Sequence, residues 1–198
     1  MRHAVRHLKQ SDPVLAAIIE RVGPCRITYR EPTFASLVRS IAFQQLNGNA
    51  ARSIFDRLVA AAGGSLTPES ILALTPEQMR AVGLSRQKLS YMRDLAERTR
   101  LGEIDFARLP EMSDEDVVEH LTRVKGIGIW SAQMFLMFAL RRPNVLPTAD
   151  YGVRAAIKKH YRKRKLPNHK QVAKLARSWQ PYCSVACWYL WRSGETIV

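Results

Sequence analysis

Helix-start signals recur along this chain, and no segment alternates between apolar and polar residues as a half-buried strand would. Asp12-Pro13 pairs a capping side chain with proline at the first helical position, where its missing N–H is no loss, and leads into Val14 to Val22. Phe34, Leu37, Val38, Ile41 and Ala42 recur at helical spacing. Ala50, Ala51, Ile54, Phe55 and Leu58 do the same before Gly63-Gly64. Thr67-Pro68-Glu69 and Thr75-Pro76-Glu77-Gln78 are further starts, the second with capping-box spacing. Ser85 caps a helix running to about Leu101, and Ser113-Asp114-Glu115-Asp116 puts acids in a first turn where they complement the helix dipole. Helices are also expected from about Ile129 to Leu140 and after Asp150, Asn168 and Tyr182. The expectation is an all-α fold of two helical subdomains around a cleft. One subdomain covers about 35–140, with the hairpin at 121–140, and the other combines about 1–34 with 150–198.

Charge narrows the partners. The 198 residues carry 31 Lys plus Arg against 17 Asp plus Glu, a formal net charge of +14, which favours polyanions such as nucleic acid. No Asp or Glu occurs from Tyr151 through Gly194, while Lys158, Lys159, Arg162, Lys163, Arg164 and Lys165 crowd one stretch. Taken alone, such a run is more often a solvated helix end than a phosphate-contacting surface, and both readings stay open. The start, Met1-Arg2-His3-Ala4-Val5-Arg6-His7, lacks the apolar stretch of a secretory signal, and Met134 to Leu140 is too short to span a bilayer. Three cysteines, an odd number, fit a reducing compartment. These features point to a cytoplasmic protein, nucleoid-associated if bacterial, with no membrane partner.

Lys125-Gly126-Ile127-Gly128 joins two helices through a Gly-x-Gly turn. Glycine there opens backbone torsions closed to other residues and lets a ligand approach the main chain. The second helix begins at the turn, so its unpaired N–H groups and positive dipole end form an anion site. A lone Gly-x-Gly is otherwise an ordinary turn between packed helices.

Leu121-Thr122-Arg123-Val124-Lys125-Gly126-Ile127-Gly128-Ile129-Trp130-Ser131-Ala132 resembles the hairpin of the helix-hairpin-helix DNA glycosylase superfamily. Leu146-Pro147-Thr148-Ala149-Asp150-Tyr151-Gly152-Val153-Arg154 resembles the Pro/Gly-rich loop and aspartate that follow it there. Ser40-Ile41-Ala42-Phe43-Gln44-Gln45-Leu46, Val82-Gly83-Leu84-Ser85-Arg86-Gln87-Lys88, Trp179-Gln180-Pro181-Tyr182 and Trp188-Tyr189-Leu190-Trp191 add to the match. Together they cover the chain from about residue 35 to its end, and the alkylpurine branch, of 3-methyladenine DNA glycosylase II type, is closest in look. Helices expected from Asp12 leave no room for the N-terminal β-domain of longer members.

The resemblance implies a monofunctional enzyme of base excision repair that hydrolyses the N-glycosidic bond of alkylated purines in double-stranded DNA. Asp150, otherwise a helix N-cap, matches the family's catalytic carboxylate. Ala149 stands where some branch members carry a second acid. Trp130 occupies the position at which bifunctional members such as endonuclease III hold a lysine, and tryptophan cannot form a Schiff base. Trp130, Trp191, Phe43 and Gln44 are implied for the base pocket, although Trp179, Trp188 and Trp191 all lie in a stretch apolar enough to be core. DNA contacts are implied for Lys125, Gly126, Ile127, Gly128, Ser85, Lys88 and Arg154. Leu46 or Asn47 is implied as the plug that fills the gap left by a flipped base, an alternative to a plain Asn-Gly turn.

Carbonyls of Thr122, Val124 and Ile127 are implied to hold a monovalent cation, Na+ or K+. Cys183 and Cys187 alone cannot build the four-cysteine iron–sulfur loop of other members, so no cofactor is expected. A monomer is expected. The same fold acting on uracil, ethenoadenine or oxidised bases, or a non-catalytic lesion-binding module, stays open because pocket shape decides the lesion.

Overall fold

The computed structural model describes residues 1–46 and 48–195, and among these it is all-α, with twelve α-helices, two short 3-10 helices and no strand. The helices are α1 Arg2–Ser11, α2 Pro13–Val22, α3 Phe34–Phe43, α4 Gly48–Ala61, α5 Pro68–Ala73 and α6 Pro76–Ala81. They continue as α7 Arg86–Arg100, α8 Asp114–Thr122, α9 Ile129–Phe138, α10 Tyr151–His160, α11 His169–Leu175 and α12 Cys183–Glu195. No helix among the described residues is long and apolar enough to cross a membrane.

Local chemistry sets most of these boundaries. The Thr67, Thr75 and Asn168 side chains accept the backbone N–H three residues on, and the residue at that position answers each as a capping box. Ser85 and Ser113 cap α7 and α8 in the same way, without the reciprocal bond to the backbone. Two expectations differ from what is found. Helix α1 was not foreseen, because its sequence is mostly basic and polar and only Ala4 and Leu8 are buried. Helix α9 stops at Phe138, short of Leu140, where the Ala139 and Leu140 N–H groups both converge on the Phe135 carbonyl.

The chain divides into two compact units, residues 30–140 and residues 1–29 with 141–198. In the first, α3 packs on α4 and α7, α5 and α6 on α7, and α8 on α9. Leu37, Val38, Ile41, Leu58, Ile71, Met79, Met92 and Leu95 are fully buried there. Phe34, Phe106 and Phe135 form an edge-to-face chain with centroids 6.3 and 6.2 Å apart.

In the second unit α12 packs on α2 and α10, and α1 on α2. A buried carboxylate organises it. One oxygen of Asp12 accepts the Val14 and Leu15 N–H groups at 3.0 Å each, capping α2. The other accepts the Tyr161 hydroxyl at 2.7 Å, just past α10, and the Trp179 indole N–H at 2.8 Å. Burial, then the Asp12 carboxylate, pushes the Tyr161 hydroxyl far above its ordinary pKa, so it remains a donor. Asp12→Ala removes a cap and leaves two buried donors unpaired, so it is expected to lower stability by roughly 3 kcal/mol in urea unfolding. Tyr161→Phe, which removes one donor, should cost about 1 kcal/mol.

Candidate active site

In the unit of residues 1–29 and 141–198, the loop after α9 leads to Asp150. Ser184, at the start of α12, ties the loop down. Its hydroxyl donates to the Arg142 carbonyl at 2.7 Å and accepts the Val145 N–H at 3.0 Å, and its own N–H donates to the Pro143 carbonyl. A turn bond from the Asp150 N–H to the Pro147 carbonyl, 3.0 Å, then delivers the aspartate to the first turn of α10.

Asp150 is buried and caps α10. Its Oδ1 accepts the Val153 N–H at 2.7 Å and the Trp191 indole N–H at 2.8 Å. Both donors fix the carboxylate oxygen in place, and the positive dipole end of α10 lies against it. Gly152 makes the arrangement possible, because a Cβ there would sit 2.9 Å from Trp191 Cδ1 and 3.2 Å from Asp150 Oδ1. Burial, with the nearby Cys183 and Asp150, raises the Cys187 thiol well above its usual pKa, so no thiolate competes with the carboxylate. The resemblance implies a base-pocket role for Trp191, and its indole N–H donates to Asp150. Trp179 is fully buried on Asp12, and Trp188 is buried edge-on to Tyr189. Arg154 bonds the Pro167 carbonyl at 2.7 Å through Nε. Tyr151, adjacent to Asp150, is 74% exposed.

In the unit of residues 30–140, Phe43, Gln44, Ser85, Lys88, Gly126 and Trp130 line one cavity of about 560 Å³. The Gln44 amide donates to the Gly126 carbonyl at 2.9 Å, and the Lys88 ammonium donates to the Ala42 carbonyl at 2.7 Å, at the end of α3. Burial lowers the Lys88 pKa. Ser85 spends its oxygen as an N-cap on the Lys88 N–H. Arg39, not singled out from sequence, lays its guanidinium 3.8 Å from the Phe43 ring centroid, so that face already carries a cation. Burial, then repulsion from Arg30 and Arg52, lowers the Arg39 pKa. With Arg30, Arg39 and Lys88 on its wall, the cavity suits an anion. Trp130 is 49% exposed and Leu46 40%, while Asn47 lies outside the described residues.

The hairpin turn between α8 and α9 is fixed from below by α7. Asp94 accepts the Lys125 N–H at 2.9 Å and the Arg98 Nε–H at 3.0 Å, and its other oxygen lies 3.8 Å from Lys125 Nζ. Partial burial pushes the Asp94 carboxyl up, but these hydrogen bonds and charges outweigh it and the net shift is downward. Gly126 takes φ +78°, and a Cβ there would fall 2.1 Å from the Tyr91 ring. Gly128 is different from the expectation: at φ −93° and ψ 174° it is extended, with open space at its Cβ position, so no left-handed torsion requires glycine there. Asp94 and Tyr91 escaped sequence reasoning because both lie more than thirty residues from the turn with no motif marking them. Ile127 and Val124 are buried, and the Val124 carbonyl accepts the Ile127 N–H at 3.1 Å, leaving its second lone pair for another ligand. Neutral carbonyl oxygens of Thr122, Val124 and Ile127 are a donor set suited to a hard monovalent cation. Among the described residues no group of three or more His, Cys, Asp or Glu is placed to hold a metal ion.

Residues 38–181 match the family described as the HhH-GPD superfamily of base excision DNA repair proteins. DNA-3-methyladenine glycosylase 1 of Schizosaccharomyces pombe is 34% identical over 195 residues, covering 96% of this chain and 86% of that protein. A DNA-3-methyladenine glycosidase structure from Bacillus halodurans superposes with TM-score 0.87 at 36% identity, over 98% of this chain and 89% of that one. The S. pombe 3-methyladenine DNA glycosylase in complex with abasic DNA gives TM-score 0.86 at 34% identity, over 98% of both chains.

The two hairpin glycines should separate in unfolding experiments. Gly126→Ala is expected to cost at least about 2 kcal/mol, since the torsion is strained and the Tyr91 ring must move. Adding Tyr91→Ala should not restore stability, because the torsion stays strained. Gly128→Ala should cost about 1 kcal/mol or less.

Proposed function

The chain belongs to the HhH-GPD superfamily of base excision DNA repair proteins, and on that premise we propose that it is a monofunctional DNA glycosylase releasing alkylated purines, 3-methyladenine and 7-methylguanine, from double-stranded DNA. The observation that carries this reading is the buried Asp150 carboxylate, held by the Val153 N–H and the Trp191 indole N–H.

The chemistry follows from charge. The bond between C1′ of the deoxyribose and the base nitrogen breaks with its electron pair going to the base. An alkylated base that begins cationic therefore leaves neutral, and positive charge passes to the sugar. A fixed carboxylate stabilises that charge without reorganising as it develops. Water then bonds to C1′ and releases a proton to solvent, leaving an abasic site. A leaving group of this kind needs no second carboxylic acid, consistent with Ala149 beside Asp150. Trp130, an indole where a lysine would attack the sugar, supports hydrolysis over covalent catalysis. Its half-exposed face attracts a cationic base by roughly 0.5–2 kcal/mol, opposed by the Arg30, Arg39 and Lys88 charges that line the same cavity.

The remaining assignments follow the same reading. The Gly128 N–H and those at the start of α9 meet a backbone phosphate, the Ile127 N–H being spent on the Val124 carbonyl. A cation on the Thr122, Val124 and Ile127 carbonyls would add positive charge at that contact. The cavity lined by Arg39, Ser85 and Lys88 favours DNA phosphate, with Phe43 and Gln44 shaping its wall. Leu46 or Asn47 fills the space vacated by the extruded base.

Incubation with methylated duplex DNA and chromatography of the supernatant tests the reading. Free 3-methyladenine is expected from the wild-type protein. Asp150→Asn, which keeps shape and one acceptor, should slow release by at least roughly a hundredfold while still binding the duplex. Unchanged release by this variant, or binding by the wild-type protein with no base released, would remove the assignment.

A further inference from the structure

The acid-free stretch after Asp150 builds a groove that the reading above does not use. It lies within the unit of residues 1–29 and 141–198 and has a volume of about 1160 Å³. Lys163, Arg164 and Lys165 form one wall, and Lys174 and Arg177, three apart along α11 and the following 3-10 turn, form the other. All five are exposed, and none has a carboxylate within 4.0 Å among the described residues. Ile157, Pro167 and Leu175 add apolar surface to the lining.

Both walls are held in place before any ligand arrives. Arg162 takes φ +51° past the end of α10, and the Lys163 N–H closes back on the Lys158 carbonyl at 2.9 Å. This is the six-residue bond of a Schellman cap, with arginine in the left-handed place glycine usually fills. The loop is tied again where Arg154 Nε donates to the Pro167 carbonyl. The second wall starts at the Asn168 capping box, which sets the beginning of α11. Cations on fixed backbone lose less freedom on meeting a ligand than the same charges on a free tail.

Five cations and no acid in the lining oppose a cationic occupant and favour an anion. An open groove with charge along both walls fits a linear polyanion better than a compact one. We propose that this groove is a second nucleic-acid contact, taking the phosphate backbone of double-stranded DNA in addition to the contact at the hairpin. The choice of DNA over an acidic protein segment rests on the glycosylase reading.

The test compares the wild-type chain with Lys165→Gln/Lys174→Gln/Arg177→Gln. Binding to an undamaged duplex of about 25 base pairs is followed by fluorescence anisotropy between about 50 and about 200 mM salt. If the three cations each neutralise a phosphate, the log–log salt slope of the variant is shallower by about 2.7, about 0.9 for each. Arg2→Gln/Arg6→Gln/Arg100→Gln removes the same charge from exposed positions elsewhere and should leave the slope near that of the wild-type chain. A groove variant with the wild-type slope overturns the proposal and leaves the groove to an acidic protein segment. An equal change in the control variant also overturns it, because net charge then suffices. Titration to saturation separates two sources of the same backbone: one duplex per chain means a flanking stretch of the duplex at the hairpin, and two mean a second molecule. Base release by the wild-type chain is measured separately. Failure of that assay with the slope difference intact would remove the glycosylase reading and keep the groove.

Discussion

A buried carboxylate persists only where donors replace its lost water, and at Asp150 two donors meet one oxygen. One is local, the Val153 N–H that any N-capping aspartate would take. The other comes from Trp191, forty-one residues on, and it makes the position of α12 a condition of the site. Gly152 leaves the space for that indole, Ser184 holds the preceding loop to the start of α12, and the neutral Cys187 thiol adds no opposing charge. The placement of the carboxylate therefore depends on how α10 and α12 pack, as much as on the aspartate.

Asp12 shows the same residue type in a second buried setting. It too is buried, caps a helix and accepts an indole N–H, but its second oxygen also takes the Tyr161 hydroxyl. Its bonds join α2 to the ends of α10 and of the 3-10 turn at Trp179. From sequence both aspartates read as N-caps, and only resemblance to a family set Asp150 apart.

Helices were legible wherever a local signal marked them: Asp12-Pro13, the two Thr-Pro starts, Ser85, Ser113 and Asn168 all cap as their chemistry requires. Helix α1 was not, because its stability comes from burying Ala4 and Leu8 against other elements rather than from any cap of its own. The hydrogen-bond partners of the candidate residues were not legible. Gly126 and Gly128 look alike in a Gly-x-Gly, yet only Gly126 has the positive φ and the ring against it. Asp94 under the hairpin, Arg39 on Phe43 and Trp191 on Asp150 join residues with no shared period or spacing. Such contacts arise from tertiary packing, which local pattern does not encode.

The bond from Trp191 to Asp150 is the central claim, and it differs from the stacking role that an aromatic near a base pocket suggests. Trp191→Phe keeps an aromatic face and removes the N–H, so single-turnover release of 3-methyladenine by this variant separates the two. If the indole N–H positions the carboxylate, the rate falls about tenfold to a hundredfold while duplex affinity stays unchanged. A variant that releases base at the wild-type rate would contradict the claim.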